Sequence, residues 1–265
     1  MRINIGLYTS LILALLFVSV TAAAVKKEAE VIFEAEREKE PIPLLTENYP
    51  GLTLERAYEI QSEYVILKLG GDTIAGYKAG LTSKGAQAKF GVSTPVSGVL
   101  FSSGKHVSPA SIDGSKYRSP VIETEIGFVV GKPIREKIAD TGQLLEHIGA
   151  VLPVVEIPET GFADMEKIKA EDIIATNVGS SIFIAGVEEP LGAVDPDDIT
   201  VALVSGDKTL NRGVGPDAMG DQLQALRWLV NSVVEHGRTI DTGSILITGS
   251  LGKVVPASLG RYEAR

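Results

Sequence analysis

The sequence predicts an α+β fold in which the β-sheets are rolled or sandwiched and the N-terminal part is helical. Two observations support this prediction. Short strand-like apolar segments outnumber helical segments in the 265-residue chain, and breaks of glycine, proline and serine separate them. The strands and helices also do not alternate regularly, which argues against a doubly wound sheet or a (β/α)₈ barrel.

Residues 1–24 have the pattern of a secretory signal peptide. Arg2 supplies a positive charge, an apolar run follows, and Thr21–Ala24 offers small residues for cleavage. An uncleaved membrane anchor is the alternative, because residues 3–25 could span a bilayer. We expect cleavage near Ala24, no stable membrane insertion afterwards, and a periplasmic or secreted protein.

Residues 25–50 are expected to form a charged helix or linker. The stretch from Lys26 to Glu40 is densely charged and has few apolar positions, which is typical of a solvated helix or a spacer. Three prolines between positions 41 and 50 then indicate a loop. The compact domain is therefore expected to span residues 51–265.

The first helix of this domain can be capped by Thr53 and ended by Gly70-Gly71. Further helices are predicted near Thr141–Ala150 and Asp217–Glu235, and one or two helical turns at Ser83–Phe90. The strands are predicted around Ile74–Lys78, Val99, Val107, Val121–Val130, Val151–Ile157, Ser181–Ala185, Ile199–Val204 and Ser244–Thr248. The predicted fold class depends on this excess of strands.

The composition excludes several classes of function. The formal charge is −9, and lysine and arginine form no cluster, so nucleic acid is not an expected partner. The chain has no cysteine, which excludes disulfides, thiolate metal sites, iron–sulfur clusters and a cysteine nucleophile. Oxygen and nitrogen side chains are left to provide any chemistry.

Glu123 and Glu125 interrupt the apolar run Val121–Val130. Alternate residues of a strand face one side, about 6.6 Å apart, so both carboxylates point one way while Ile122 and Phe128 occupy the other face. Two buried like charges raise one pKa or recruit a cation, and oxygen ligands favour a hard divalent ion such as Mg²⁺ or Mn²⁺. A solvent-facing pair on a half-exposed strand is the alternative.

Glu156 adds a third carboxylate, because it interrupts the apolar segment Val151–Ile157. Three oxygen ligands form half of an octahedron, and the remaining positions of a Mg²⁺ ion would be open to water or a chelating substrate. Alternatively, Glu156 ends an edge strand and faces solvent, as Pro153 and Pro158 permit.

Six motifs follow one another along the chain: Gly76–Ser83, Phe90–Val92, Pro95–Leu100, Glu123–Ile126, Val151–Glu156 and Thr242–Gly252. Together they resemble the hydratase/decarboxylase branch of the fumarylacetoacetate hydrolase superfamily, over most of residues 51–264. The resemblance implies a mixed β-roll fold and a homo-oligomer. It also implies that Mg²⁺ or Mn²⁺ is held by Glu123, Glu125 and Glu156.

The same resemblance identifies Lys78 as the active-site lysine. It places four further residues at the substrate: Gly80, Leu81, Thr248 and Gly249. Small residues in the loop Thr248–Gly252 would let backbone N–H groups approach a substrate carboxylate.

The resemblance implies a metal-dependent lyase that acts on a small 2-oxo acid or its dienol. The leading expectation is hydration of 2-keto-4-pentenoate, in its dienol form 2-hydroxypenta-2,4-dienoate. The alternatives are decarboxylation of 4-oxalocrotonate, hydrolysis of an acylpyruvate, and a catalytically impaired homologue that only binds its ligand.

Several positions depart from the family pattern. Val96 stands where hydratases carry an acidic residue, which shifts weight towards decarboxylation. Thr176 and Ser244 stand where aspartates are usual, and the chain stops at Arg265, where relatives continue into another strand. These departures keep the impaired homologue open as an alternative.

Overall fold

The computed structural model describes residues 23–265, so the predicted signal peptide, apart from its last two residues, lies outside the described residues. The helices are α1 (residues 23–37), α2 (Leu45–Asn48), α3 (Leu54–Leu69), α4 (Lys84–Phe90), α5 (Thr141–Leu145), α6 (Ala170–Ala175) and α7 (Gln222–Glu235). The strands are β1 (Ile74–Gly80), β2 (Val96–Phe101), β3 (Lys105–Val107), β4 (Val121–Val130), β5 (Ile148–Ile157), β6 (Ile182–Ala185), β7 (Glu189–Pro190), β8 (Thr200–Ser205), β9 (Lys208–Val214), β10 (Ile245–Ile247), β11 (Val255–Pro256) and β12 (Glu263–Ala264). No helix in residues 23–265 combines the length and the apolar composition needed to cross a bilayer.

One large mixed sheet dominates the part of the chain that the structure describes. Its strand order is β2-β1-β10-β4-β5-β6-β3, with β11 beside β4 and β7 beside β5. The pairs β1–β10 and β3–β6 are parallel, and the other pairs are antiparallel. The sheet curls into a half-barrel, while β12, β8 and β9 form a small second sheet. The predicted α+β roll is confirmed.

The two faces of the large sheet carry separate cores. Phe128 of β4 lies on the face that packs against α7. Gly127, on the opposite face, is the register partner of both Leu152 and Ile247, which belong to the second core. Because the side-chain period of a strand is two residues, Glu125 projects from this second face.

Side chains cover the outer edge of β2. The Ser97 N–H donates to the hydroxyl of Tyr58, 3.0 Å away, and Gln61 Nε2 donates to the Ser97 carbonyl at 2.9 Å. Farther along the strand, the carboxamide of Asn177 bonds both backbone groups of Val99, at 2.7 and 2.9 Å. These contacts satisfy an edge that would otherwise expose unpaired backbone groups.

The charged N-terminal segment forms a helix, which is one of the two alternatives expected for it, and this helix packs against α3 instead of being solvated all round. Val25, Ala29 and Ile32 repeat at i, i+4 and i+7 and therefore share one face of α1. Ala29 and Ile32 are fully buried, in the same core as Ile60 of α3. Two ion pairs also join these helices, namely Glu28–Arg56 at 2.8 Å and Glu36–Lys68 at 2.6 Å.

Two predicted helices have different bounds in the structure. The helix predicted at Thr141–Ala150 ends at Leu145, because residues from Ile148 onwards pair with β4 as the start of β5. The helix predicted from Asp217 begins at Gln222, where the side chain of Asp221 caps it by accepting from the Gln224 N–H. Helices α2 and α6 and strands β7, β9, β11 and β12 were not predicted.

Candidate active site

Adjacent antiparallel strands bring three carboxylates together. Glu123 of β4 is the register partner of Glu156 of β5, and Glu125 projects from the same face two residues along. Each residue places one carboxylate oxygen within 4.8 Å of the other two. Glu125 and Glu156 are 3% and 0% exposed, and Glu123 is partly buried. Glu123 and Glu125 share one face of β4, as the two-residue period of a strand predicts, and Glu156 joins them from β5.

Lys78 of β1 faces the same cluster. Its side chain is buried, and Nζ donates hydrogen bonds to Glu156 Oε1 and, at 3.1 Å, to the carbonyl oxygen of Val178. An ammonium carries three donors, and among the described residues these two atoms accept from it. One donor direction therefore remains for another acceptor.

The electrostatics of the cluster follow from burial and from mutual repulsion. Burial, with a further contribution from Glu156, raises the pKa of Glu123 to about 7. The same causes raise the pKa of Glu125 well above its ordinary value, and burial raises that of Glu156 against the opposing effect of Lys78. Burial acts to lower the pKa of Lys78, but the three carboxylates outweigh it, so that this pKa is raised and the amine stays protonated.

The donor set fits a hard divalent cation. Glu125 Oε1 and Glu156 Oε2 are buried and have no hydrogen-bond partner among the described residues. The other oxygen of each carboxylate accepts a hydrogen bond, from the Gly249 N–H at 2.7 Å and from Lys78. When all three carboxylates are ionised, they and the Lys78 ammonium leave a formal charge of −2 in the cluster. A cation such as Mg²⁺, Mn²⁺ or Ca²⁺ would balance this charge and bind the unpartnered oxygens.

The loop after β10 supports the carboxylate cluster from the side. Gly249 has φ +109°, and an added Cβ would lie 2.3 Å from Thr82 Oγ1, so only glycine lets this amide reach Glu125. Thr248 is fully buried, and its hydroxyl donates to Gln222 Oε1 at 2.6 Å. The loop is thus fixed between the sheet and α7.

Comparison with known proteins decides the family. A family model described as "Fumarylacetoacetate (FAA) hydrolase C-terminal" matches residues 88–261. The chain belongs to the fumarylacetoacetate hydrolase family. Within this family, it is 31% identical over 234 residues to the 4-oxalocrotonate decarboxylase of Pseudomonas sp. strain CF600, covering 88% of each chain. It is 28% identical over 238 residues to the 2-keto-4-pentenoate hydratase of Paraburkholderia xenovorans strain LB400, covering 89% of this chain and 88% of the relative.

A solved structure from the same family has a similar fold over nearly the whole chain. It is the 4-oxalocrotonate decarboxylase from Pseudomonas putida G7 complexed with magnesium and adipate. The TM-score is 0.86 at 30% sequence identity, with 92% of this chain and 93% of that chain covered.

The structure places the residues singled out in the sequence at different distances from the cluster. Lys78, the three glutamates and Gly249 come together there. Gly80 lies two residues beyond Lys78 on the same face of β1, beneath the side chains of Val178 and Val96. Leu81 packs instead against the core formed by the N-terminal helices. For this member of the fumarylacetoacetate hydrolase family, the substrate and metal roles of these residues stay predictions.

Sequence reasoning missed the carbonyl oxygen of Val178 as a partner of Lys78. The contact is made by a backbone atom, so the identity of residue 178 carries no direct signal for it. The available signal is the sequence Asn177-Val178-Gly179, since asparagine and glycine are the residues that most readily adopt positive φ in a tight turn.

Proposed function

We propose that this protein is a divalent-metal-dependent lyase that acts on a small 2-oxo acid or its dienol. The observation that carries the proposal is the buried cluster of three carboxylates beside Lys78, with two carboxylate oxygens lacking partners among the described residues. The relatives named as hydratases and decarboxylases of such acids, and the magnesium in the decarboxylase structure, support the same chemistry.

Glu123, Glu125 and Glu156 would hold the ion through one oxygen each, with Mg²⁺ or Mn²⁺ as the proposed cofactor. A divalent ion bound there supplies Lewis-acid polarisation of a carbonyl or carboxylate oxygen of the substrate. The burial of Glu125 and Glu156 keeps bulk water away from the reacting centre, which strengthens each electrostatic interaction inside it.

Lys78 acts as a cationic hydrogen-bond donor to the substrate in this proposal. Its buried ion pair with Glu156 favours the charged form of Nζ, so it suits stabilisation of negative charge on a substrate oxygen better than removal of a proton. The carbonyl of Val178 and the carboxylate of Glu156 orient two of its N–H bonds. The third N–H is left to meet the substrate.

Hydration of 2-keto-4-pentenoate is the first candidate reaction. Decarboxylation of 4-oxalocrotonate is a second candidate, and Val96 favours it. Val96 is buried and lies with Val178 against Gly80, so an apolar wall stands beside Lys78, at the position where the family resemblance leads us to expect an acidic residue in a hydratase. Such a wall would not activate water but would suit the loss of neutral CO₂.

The direct test uses freshly generated dienol and 4-oxalocrotonate, each with and without Mg²⁺. Hydration bleaches the ultraviolet absorbance of the dienol, whereas decarboxylation releases CO₂ from the longer diacid. The double variant Glu123→Gln/Glu125→Gln should lose turnover and Mg²⁺ binding. Its control, Glu188→Gln/Glu189→Gln, makes the same charge change at exposed positions and should retain both. Turnover that survives in the first variant, or absence of both reactions in the metal-loaded wild type, would refute the proposal.

Two further proposals rest on the sequence and the family resemblance. The signal peptide that the sequence predicts for residues 1–24 implies that the protein acts in the periplasm or outside the cell. The resemblance implies that it assembles as a homo-oligomer.

A further inference from the structure

The turn that contacts Lys78 has an unusual backbone. Asn177, Val178 and Gly179 are consecutive residues with φ of 55°, 56° and 62°. Asparagine and glycine tolerate this left-handed region, but a β-branched valine is a genuine outlier there. Such a conformation persists only where the surrounding contacts determine it.

The hydrogen bonds of Asn177 hold the turn in this left-handed conformation. The residue is 0% exposed. Its Oδ1 accepts from the Val99 N–H at 2.7 Å, and its Nδ2 donates to the Val99 carbonyl at 2.9 Å. The carboxamide thus occupies the outer edge of β2 as a neighbouring strand would. The next residue in the turn, Val178, presents its carbonyl to Lys78 Nζ at 3.1 Å.

The close approach of the turn to β2 depends on Gly98, the register partner of Lys78. A Cβ on Gly98 would lie 2.8 Å from the Asn177 carbonyl oxygen and 3.2 Å from Val178 Cγ2. At its other end the turn is held by the Glu159 N–H, which donates to the Gly179 carbonyl at 2.9 Å. The turn therefore bridges the strand edge beside Lys78 and the segment that follows Glu156.

We infer that Asn177 is a positioning residue for Lys78. By bonding both backbone groups of Val99, it fixes the left-handed turn so that the Val178 carbonyl points at Nζ. This carbonyl and Glu156 together aim the remaining N–H bond of Lys78 at the substrate. The inference deepens the proposed function and rests on it for the part that concerns turnover.

Asn177→Ala tests the inference against Gln61→Ala. Both substitutions remove a buried amide that caps the outer edge of β2, since Gln61 Nε2 donates to the carbonyls of Ser97 and Ile174. Both variants should lose stability, but only Asn177→Ala should lower kcat, by roughly 100-fold for a misplaced catalytic group. KM should change little, and the Kd for Mg²⁺, measured calorimetrically, should stay near that of the wild type.

Equal effects of the two variants on kcat would overturn the inference, because a structural role alone predicts them. If Asn177→Ala does not fold, Asn177→Asp decides the question, since aspartate keeps the acceptor for the Val99 N–H but cannot donate to its carbonyl. A lowered kcat with unchanged Mg²⁺ affinity supports the inference, and a wild-type kcat refutes it.

A crystallographic readout separates this inference from the proposed function. In the structure of the Asn177 variant, the distance from Lys78 Nζ to the Val178 carbonyl should exceed hydrogen-bonding range while the three carboxylates stay in place. If the wild type turns over neither substrate, the proposed function fails, and this distance still tests the positioning role. An unchanged distance would overturn it.

Discussion

Glu123 and Glu156 are register partners on adjacent antiparallel strands, so the sheet itself holds two carboxylates side by side. Directly opposed residues in such a pair have Cβ atoms about 5 Å apart, and like charges placed there repel. Glu125 adds a third negative charge and Lys78 a single positive one. The strands thus maintain an arrangement that is unfavourable without a further cation, which is what a preorganised metal site requires.

Removal of one charge should stabilise the metal-free protein and abolish its response to metal. In Glu125→Gln, the side-chain oxygen can still accept from the Gly249 N–H, while repulsion from Glu123 and Glu156 is relieved. The Tm of the metal-free variant should therefore rise. Mg²⁺ at 100 times its Kd should stabilise the wild type by about 2.7 kcal/mol but leave the variant unchanged.

Thermal unfolding with and without Mg²⁺ measures both effects, and Glu188→Gln at an exposed position is the control. A metal-free Glu125→Gln variant that is less stable than the wild type would contradict the prediction, because it would show that repulsion among the three carboxylates does not destabilise the fold.

The stability of the metal-free protein should fall as the pH rises from about 4.5 to above 7. The pKa of Glu123 is raised from 4.5 to about 7, so the folded protein binds this proton more tightly than the unfolded chain does. The stabilisation is complete below the unfolded pKa and is lost as the pH passes through the folded one. The raised pKa of Glu125 extends the loss in the same direction.

Metal should reverse this trend, because Mg²⁺ and protons compete for the same oxygens. The increase in Tm on adding Mg²⁺ should therefore be larger at about pH 8 than at about pH 5.5. Unfolding measured across this range in the presence of a chelator or of Mg²⁺ would reveal it. An Mg²⁺ effect that does not depend on pH would contradict the assignment of the ligands.

The parts of the site that were predictable follow from local periodicity. Glu123 and Glu125 share a face because a strand has a two-residue period, and this can be read from the sequence alone. The pairing of Glu123 with Glu156 could not be read in this way, because the register between two strands depends on the whole sheet. The family resemblance, rather than strand geometry, connected these residues.

Two kinds of feature were not predicted. One is a contact made by a backbone atom, and the other is an apolar helix face within a segment that is mostly charged. The Val178 carbonyl contacts Lys78 only because three consecutive residues adopt positive φ. The apolar stripe of Val25, Ala29 and Ile32 lies within a densely charged segment, so the mean polarity suggested a solvated helix or a spacer and not a helix packed on the domain.

The docking of α1 on α3 should contribute strongly to stability. Ile32 is fully buried, whereas its neighbour Val31 is 37% exposed. Ile32→Ala should lower the free energy of unfolding by about 2–5 kcal/mol, because it removes buried methyl groups and leaves a cavity. Val31→Ala, the control on the same helix, should change it by less than about 0.5 kcal/mol.

Denaturant unfolding of these two variants measures the difference, and kcat of the folded Ile32→Ala protein should stay near the wild-type value. Equal, small effects would mean that α1 does not pack on the domain in solution.

Gly249 should strengthen metal binding, although it offers no side chain, because its backbone N–H donates to Glu125. In Gly249→Ala, the new Cβ would lie 2.3 Å from Thr82 Oγ1, so the amide that donates to Glu125 must move. Loss of such a supporting hydrogen bond should weaken Mg²⁺ binding by about 10- to 100-fold. Gly243→Ala is a matched control, because Gly243 also has positive φ, +84°, but no atom lies within 4 Å of its added Cβ. Calorimetric titration should therefore show weakened Mg²⁺ binding for Gly249→Ala but not for Gly243→Ala. An equal loss of Mg²⁺ affinity in both variants would assign the effect to backbone strain and not to the hydrogen bond with Glu125.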